Sequence, residues 1–283
     1  CPGKVGCAIA QQLFPAGYPV TAVISRELAR ALDACKFIGC SDQAASGSLA
    51  DAATAELLLL AVPDNQIAEL ANQLVALPIA LTNKTLVHFS GLHPAGIMRQ
   101  QDKHFACLSI HPLLPFADRQ LASERLRDCP CAIEGDKPSL QLGRELVEAI
   151  NGKSFSIASD KKALYHAAAC ISSNFLVTLQ AIAGELLREC GVTDQENPIQ
   201  LLLPLIEATL TNLTKLGPEE GLTGPIVRGD SGTVAAHLKA LQTDAKSIAE
   251  LYKLLGELTV TLAQTSKRLP PDRAAEISST LKK

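Results

Sequence analysis

The feature that most constrains the fold is a continuous apolar run at residues 57–62, bounded by polar residues and ended by Pro63. A run without polar–apolar alternation is typical of a strand that is buried on both faces, as in a parallel sheet. Segments with helical periodicity separate this run from similar short runs along the chain. Repeated strand–helix units of this size predict an α/β fold with a doubly wound, mainly parallel sheet.

This alternation extends to about residue 158. We predict strands at residues 19–24, 36–40, 57–62, 84–89, 105–110, 131–134 and 154–158. Helices are expected between them, at residues 27–35, after a Ser48 cap, and at residues 67–77, 95–101 and 139–150.

The strand signals end after Ser159. Ser159 or Asp160 is expected to cap one long helix that runs to Cys190 and stops at Gly191. Further helices are predicted at residues 198–216, 231–241, 244–266 and 271–281. We therefore predict two domains, a sheet domain at residues 1–158 and an all-helical (all-α) domain at residues 159–283.

The chain opens with a glycine-containing turn, Pro2-Gly3-Lys4-Val5-Gly6, before an amphipathic helix pattern. Two glycines three apart let the backbone approach a pyrophosphate and let the helix pack on the sheet, while free N–H groups at the helix start attract the anion. We therefore predict that Gly3, Lys4, Val5 and Gly6 bind a dinucleotide. The alternative interpretation is an ordinary glycine-containing loop before a helix.

The full dinucleotide fingerprint is G-x-G-x-x-G after a strand. Cys1 stands at the place of the first glycine, where a tight turn favours a residue without Cβ, and the preceding strand is absent from the sequence. That strand is central in such a sheet. We therefore expect a Rossmann-type sheet whose first strand is truncated, with consequences for cofactor affinity.

Ser25 and Arg26 follow the strand predicted at residues 19–24. An acidic residue at this position of a dinucleotide fold binds the ribose 2′-hydroxyl of NAD. Arginine instead offers a planar fork of donors to phosphate oxygens, so Ser25 and Arg26 suit the 2′-phosphate of NADP. A solvated arginine at a strand end is the alternative. Val62 and Pro63 are expected at the carboxyl end of their strand, beside the cofactor crevice.

Composition argues against several other classes. The 283 residues carry a net charge of −3, so the chain lacks the excess positive charge that binds nucleic acid or an anionic membrane. The longest apolar run, at residues 57–62, is too short to span a bilayer. The nine cysteines are scattered and odd in number, which indicates reduced thiols in a cytoplasmic protein. The spacing of His88, His93 and His111 resembles no dedicated metal site, so no metal is expected.

Several motifs are shared with a known family: Pro2-Gly3-Lys4-Val5-Gly6, Ser25-Arg26, Leu60-Ala61-Val62-Pro63-Asp64, His88-Phe89-Ser90-Gly91, Ile110-His111-Pro112-Leu113, Tyr165-His166-Ala167-Ala168, Ser173-Asn174 and the segment from Leu222 to Leu238. With these motifs the sequence resembles the Rossmann-like oxidoreductases that carry an uncharacterised helical C-terminal domain, distant relatives of 6-phosphogluconate dehydrogenase and pyrroline-5-carboxylate reductase. The resemblance spans nearly the whole chain. It implies the fold, an NADP cofactor and a homodimer formed through the helical domain, and it assigns no substrate.

Candidate chemistry lies on three pieces of the chain. Ser90 and Gly91 follow a predicted strand, so the hydroxyl and backbone N–H groups can hold a substrate carboxylate; a simple strand-to-helix turn is the alternative. His111, after the next strand, is a further candidate for substrate binding. Arg228 can bind an anionic substrate or be an ordinary surface arginine. Asp230 is expected to cap the helix that begins near Ser231.

His166, Cys170 and Asn174 are spaced by four, hence on one face of the predicted long helix. Related β-hydroxyacid dehydrogenases place a lysine and an asparagine one turn apart on this helix; Asn174 matches the asparagine and Cys170 stands at the lysine position. A histidine exchanges protons near neutral pH, so His166 is the candidate general acid. The alternative is a histidine and an asparagine with structural hydrogen bonds inside a helix bundle.

These observations favour an NADP-dependent oxidoreductase that acts on a small substrate, an acid or an imine, in a cleft between the domains. A non-catalytic NADP-binding or sensor protein is the competing hypothesis, because a fold does not fix a function. A truncated remnant that binds nothing is the third. Leucine-rich helices in the second domain support the expected homodimer.

Overall fold

A computed structural model describes residues 2–99 and 105–283. The chain forms two compact units, one ending at Ser173 and the other spanning Asn174–Lys283.

The first unit is built on a five-stranded sheet. Its strands are β3 (Leu57–Leu60), β4 (Thr85–His88), β5 (Ala106–Pro112), β6 (Pro130–Gly135) and β7 (Lys153–Ser156), adjacent in that order. Neighbouring strands are parallel except β5 and β6, which are antiparallel. Two further short strands, β1 (Val23–Ile24) and β2 (Ala45–Ser46), form a separate parallel pair.

The first unit also contains helices. They are α1 (Lys4–Leu13), α2 (Leu28–Ile38), α3 (Ile67–Ala76), α4 (Arg119–Glu124), α5 (Ser139–Ala149) and α6 (Lys162–Ser172). One apolar cluster joins α1 and α5 to the sheet through Val87, whereas the other joins α3 to it through Leu86. Successive strand residues point to opposite faces, and both faces are buried. The predicted α/β fold with a mainly parallel sheet is thus confirmed.

The two sheets are separated by a gap. Among the described residues, β1 pairs with β2 alone. Strand β3 is an edge strand of the larger sheet and pairs with β4 alone. A cavity of about 910 Å³ is lined by residues 18–26 on one side and 54–62 on the other. The gap therefore lies where the sequence analysis expects the first strand of a Rossmann-type sheet.

Several local predictions are wrong. Residues 36–38 end helix α2 instead of starting a strand, because Ala31, Ala34 and Ile38 form one buried helical face. Gly39 then ends the helix with a φ of 85°, a left-handed conformation that glycine adopts without strain. Helix α4 is not predicted at all. Ala95–Met98 forms only a 3₁₀ turn, and the rest of the helix predicted there lies partly outside the described residues.

The second unit consists of helices and loops. Its helices are α7 (Asn174–Glu189), α8 (Pro198–Gly221), α9 (Ser231–Asp244), α10 (Lys246–Thr265) and α11 (Pro271–Leu281), close to the predicted ranges. Val234, Val260 and Ile277 lie in its apolar core. The predicted cap is present, because Oδ1 of Asp230 accepts a hydrogen bond from the amide of Thr233 at 3.0 Å. The Rossmann-like domain is therefore followed by a helical region.

The long helix predicted from residue 159 is interrupted. Ser159–Lys161 forms a 3₁₀ turn without a side-chain cap, and α6 ends at Ser172. Ser173, with φ −114° and ψ −66°, lies between the two helices, and α7 begins at Asn174. Helix α6 thus belongs to the first unit, although the sequence analysis places the domain boundary after residue 158.

Among the residues that the structure describes, one stretch is long and apolar enough to cross a membrane, by length and composition alone. Ser159–Glu189 contains a window with a mean hydropathy of 1.4, of which only 6% is buried. The sequence analysis counted uninterrupted apolar runs and so did not find it. Lys162 near its start is buried against the sheet, and the helix breaks at Ser173. One such stretch also occurs in proteins without membrane spans, so it does not identify a membrane protein.

Gly6 allows α1 to pack closely against the end of β3. A Cβ on Gly6 would lie 2.4 Å from Cβ of Ala61, far inside van der Waals contact. We expect Gly6→Ala to lower the free energy of unfolding by about 1–3 kcal/mol from overpacking, partly offset by up to about 1 kcal/mol because alanine favours helix. Urea unfolding of the cofactor-free protein measures this.

The matched control for that variant is Gly232→Ala in α9. Its Cβ would meet only a carboxylate oxygen of Asp230 at 3.7 Å, which is ordinary contact. It should leave stability unchanged or raise it slightly. Equal unfolding midpoints for wild type and Gly6→Ala would contradict the close packing.

Candidate active site

The predicted site residues of the sheet meet at one edge. Asp64, Ser90 and His111 lie at or after the carboxyl ends of β3, β4 and β5. These three strands are mutually parallel, so their carboxyl ends lie at the edge where open α/β sheets bind ligands. Oγ of Ser90 donates a hydrogen bond to Oδ2 of Asp64 at 2.8 Å, which shows that the first two strand ends are in contact.

The hydroxyl of Ser90 is fully engaged within the turn. Besides donating to Asp64, Oγ accepts hydrogen bonds from the amides of Leu92 at 3.1 Å and His93 at 3.0 Å. A hydroxyl has one donor and two acceptor lone pairs, so no hydrogen bond remains for a substrate. The amide of Ser90 donates to Nδ1 of His88 at 3.1 Å. This geometry favours a structural role for Ser90 over the predicted catalytic one.

Lys162 is buried beneath this turn. Its Nζ donates hydrogen bonds to the carbonyl oxygen of Ser90 at 2.8 Å and to Oγ of Ser109, and lies 3.5 Å from Oε1 of Glu134. Burial lowers the pKa of Lys162 to about 8, although the Glu134 carboxylate favours the charged form. The ammonium therefore links the first turn of α6 to β4, β5 and β6.

Glu134 joins the same region from the other side. Its Oε1 accepts a hydrogen bond from the amide of Ala95 at 2.6 Å, and its Oε2 accepts one from Oγ of Ser159 at 2.6 Å. The carboxylate is 3% exposed, and the ammonium of Lys162 is its ion-pair partner. A buried carboxylate with a cation and hydrogen-bond donors around it avoids the cost of an unpaired charge.

Two histidines lie beside Gly91, and a tyrosine contacts one of them. Nδ1 of His111 is 2.7 Å from Oη of Tyr165, and the rings of His111 and His166 meet edge to face at 5.9 Å. A Cβ on Gly91 would lie 2.5 Å from Cδ2 of His166 and 2.8 Å from Nε2 of His111. Glycine is therefore required for both rings to approach this turn.

The pKa values of this group are displaced from their ordinary ranges. Burial, then the nearby charges of Lys162 and His166, lower the pKa of His111 to about 4. Burial raises the pKa of Tyr165. At neutral pH the imidazole of His111 and the phenol of Tyr165 are therefore both uncharged.

The predicted cofactor residues also come together. Gly3 precedes α1, and the first amide bonded within the helix is that of Cys7, which donates to the Gly3 carbonyl at 3.0 Å. The preceding amides, of Lys4, Val5 and Gly6, are thus not used by helix bonds and are available to an anion. Nζ of Lys4 is directed to the carbonyl of Ala117.

The cavity of about 910 Å³ between the two sheets is lined by Gly6, Ser25, Arg26 and Val62, among others. Pro63 follows Val62, after the end of β3. Ser25 is buried, whereas Arg26 is exposed beyond the end of β1. A free helix start, a glycine in close contact with the strand and an exposed guanidinium are donors that suit the phosphates of a dinucleotide. These residues therefore fit a nicotinamide dinucleotide.

Two other predicted residues lie in the second unit. Asn174 is the first residue of α7 and of the second unit, so the helical face predicted to join it to His166 and Cys170 stays a prediction. His166 and Cys170 do share a face, with Nδ1 4.0 Å from Sγ. Arg228 is exposed in the loop before α9.

Sequence analysis missed Lys162, Tyr165 and Glu134. The sequence analysis placed the lysine position of the β-hydroxyacid dehydrogenases at Cys170. The lysine that is buried in the structure is Lys162, one helical turn before His166. The four-residue spacing of Lys162 and His166 was the available signal. Over the part of the chain that the structure describes, no group of three or more His, Cys, Asp or Glu side chains is arranged to hold a metal ion.

Comparison with protein-family models shows which domains the chain carries. Residues 1–112 match the family model of the Rossmann-like domain. Residues 129–259 match the model described as a domain of unknown function (DUF2520). The chain thus carries a Rossmann-like domain followed by a DUF2520 domain, and the predicted resemblance is confirmed.

Three solved structures are similar over almost the whole chain. Protein TM1727 from Thermotoga maritima is 26% identical, with a TM-score of 0.73, covering 94% of this chain and 98% of its own. The "putative NADP oxidoreductase BF3122" from Bacteroides fragilis is 23% identical, with a TM-score of 0.69 and coverages of 89% and 92%. A 1-pyrroline-5-carboxylate reductase from Streptococcus pyogenes is 16% identical, with a TM-score of 0.59 and coverages of 98% and 95%. Below 25% identity the likeness shows the fold alone. Among curated proteins, none matches the sequence.

The buried His88 makes stability depend on pH. Burial, then the charge of Lys162, lower its pKa from 6.5 to about 4. Between these values the unfolded chain binds a proton that the folded chain does not, so the free energy of unfolding falls as pH falls from 6.5 to 4. At about 1.4 kcal/mol per pKa unit, His88 accounts for roughly 3 kcal/mol of this loss.

We therefore expect His88→Asn to flatten the stability profile between pH 7 and pH 4, measured by urea unfolding at several pH values. The amide oxygen can still accept the hydrogen bond from Ser90. His237→Asn, at an exposed position, is the control and should leave the profile unchanged. A profile for His88→Asn as steep as that of wild type would show that His88 is not held neutral.

Proposed function

We propose that the protein is an NADP-dependent oxidoreductase that acts on a small acidic or imine substrate. The observation that carries this proposal is the cluster of Lys162, His111 and His166 at the carboxyl edge of the parallel strands. The lowered pKa values of Lys162 and His111 at such an edge are typical of active sites. The names of two similar structures, an NADP oxidoreductase and a pyrroline-5-carboxylate reductase, support the same class.

The cofactor would be held by residues of the first unit. The amides at the start of α1 would receive the pyrophosphate, and Arg26 with Ser25 would receive the 2′-phosphate. Val62 and Pro63, at the end of β3, would border the cofactor. NADP supplies the chemistry of hydride transfer when it is bound.

His166 would serve as the general acid. Its ring lies against the Gly91 turn, and histidine is the side chain that most often acts as a general acid or base in enzymes. Asn174 is proposed to orient the substrate, since an amide both donates and accepts hydrogen bonds. Arg228 is proposed to bind an acidic group of the substrate, since a guanidinium pairs with carboxylates.

We expect NADPH to bind more tightly than NADH, because Arg26 offers donors to the 2′-phosphate and no acidic residue stands there. At a ligand concentration about a hundredfold above Kd, the folded state gains about 2.7 kcal/mol, which thermal denaturation detects as a raised Tm. Arg26→Ala should abolish the preference, whereas Arg30→Ala, one turn into α2, should keep it. Equal shifts from NADPH and NADH with the wild-type chain would contradict the assignment.

His166→Ala should lower kcat by on the order of a hundredfold, the usual contribution of a general acid, and leave NADPH affinity unchanged. Turnover is measured as NADPH oxidation with a panel of oxo acids and cyclic imines. His237→Ala, in the second unit, is the control and should retain kcat. Full turnover by His166→Ala would remove the general acid from the proposal. NADPH binding without turnover of any substrate would favour the non-catalytic sensor.

A homodimer formed through the helical unit is part of the proposal. Large apolar side chains are exposed on α8 and α10, including Leu205 at 66% and Leu254 at 61% exposure. Patches of this kind mark interfaces, because a stable monomer seldom exposes them. Light scattering at micromolar concentration should give twice the chain mass of 29.9 kDa. Leu205→Glu with Leu254→Glu should shift the protein toward monomer; a monomeric wild type would refute the dimer.

A further inference from the structure

His111 and Tyr165 form a hydrogen-bonded pair that the proposed function does not yet use. His111 lies in β5 and Tyr165 in α6, and their polar atoms are 2.7 Å apart. Both groups are uncharged at neutral pH, since burial lowers the pKa of His111 to about 4 and raises that of Tyr165. A single proton therefore lies between Nδ1 and Oη.

The chemistry of the two groups decides which atom carries that proton. A neutral phenol is a stronger hydrogen-bond donor than a neutral imidazole N–H, and the unprotonated imidazole nitrogen is a good acceptor. Oη of Tyr165 thus donates to Nδ1, and the ring proton of His111 resides on Nε2. In this tautomer the N–H group of His111 points away from Tyr165.

Nε2 of His111 lies at the Gly91 turn. It would be 2.8 Å from a Cβ at Gly91, which follows the carboxyl end of β4. Within the described residues no hydrogen-bond partner is found for Nε2, and this atom is not among the buried polar atoms without a partner. Its N–H group is therefore open to a ligand at the edge of the sheet.

Tyr165 is held in place by more than this hydrogen bond. Its ring packs against Phe155 of β7, with centroids 6.1 Å apart. Tyr165 thus contacts both Phe155 and His111, and its hydroxyl oxygen is hydrogen-bonded to Nδ1 of His111.

We propose that Tyr165 is a positioning residue that fixes His111 as the Nε2–H tautomer, and that this N–H group binds the oxygen of a substrate carbonyl. The proposal rests on the oxidoreductase function proposed above and names its substrate class. A carbonyl oxygen accepts an N–H hydrogen bond, whereas a protonated imine has no lone pair to accept one. The site accordingly favours oxo acids over cyclic iminium substrates.

The roles of the two histidines are then distinct. If bound NADPH supplied hydride to the carbonyl carbon, a C–H bond would form and the π electron pair would move onto the oxygen. His111 stabilises the negative charge that develops there and keeps its proton, because preorganised donors act where charge appears. The oxygen takes its proton from His166, and the product is a hydroxy acid.

The first test is the tautomer of His111, observed by ¹⁵N NMR of the histidine-labelled full chain. We expect the Nε2–H form in the wild type and a mixture of tautomers in Tyr165→Phe, which keeps the ring against Phe155. The control is Tyr252→Phe, because Tyr252 contacts Nδ1 of His237 at 2.9 Å in the second unit. It should change the signals of His237 and leave those of His111 as they are.

An Nδ1–H tautomer in the wild type, or an unchanged tautomer in Tyr165→Phe, would overturn the proposal. This measurement needs no turnover, so its result stands whether or not the protein oxidises NADPH. Conversely, a protein that binds no NADPH while showing the expected tautomer would fail the proposed function and not the positioning role of Tyr165.

The second test is activity with matched substrates. Tyr165→Phe should lower kcat with an oxo acid by about tenfold or more and leave the Kd for NADPH unchanged, since one oriented donor is weakened. His111→Gln should retain part of the activity, because its side-chain amide can donate to the oxygen. Faster NADPH oxidation with a cyclic imine than with any oxo acid would overturn the assigned substrate class.

Discussion

The candidate site depends on one buried ammonium. Nζ of Lys162 lies among the carbonyl of Ser90, the hydroxyl of Ser109 and the carboxylate of Glu134. A charge in such a place is costly unless each of its donors finds a partner, and here the partners come from three strands. The interaction therefore holds the first turn of α6 against the carboxyl edge of the sheet. Because Tyr165 and His166 follow Lys162 by three and four residues, the same anchor places His166 beside Gly91 and Tyr165 against His111.

The positive charge of Lys162 also contributes to the lowered pKa values of its histidine neighbours. Burial is the largest cause of the lowered pKa values of His88 and His111, and the lysine adds to it in both cases. The histidines nearest the sheet are thereby kept neutral, which makes them acceptors or N–H donors rather than acids. The three histidines therefore differ in role. His88 accepts a hydrogen bond from the amide of Ser90, and His111 offers an N–H group. His166 is the residue proposed to donate a proton.

The fold was largely predictable, because strands buried on both faces leave continuous apolar runs such as residues 57–62. Helix α2 was mistaken at its end because Phe37 and Ile38 suit a strand by type, whereas their neighbours set a helical face. The site was less predictable. Lys162 forms its contacts with residues far away in sequence, and a lysine at a helix start is ordinarily a surface residue. Burial and the pairing with Glu134 come from tertiary structure, which local patterns do not contain.

The most direct test of this account is amide hydrogen exchange at residues 88–93 in Lys162→Met, compared with Lys161→Met, whose side chain is exposed. Adding Glu134→Gln to the first variant separates the loss of the ammonium from the effect of an unpaired carboxylate. If Lys162 anchors the turn, these amides should exchange faster in both Lys162 variants and at the wild-type rate in Lys161→Met. Wild-type protection in Lys162→Met would contradict the claim that the buried ammonium holds the site together.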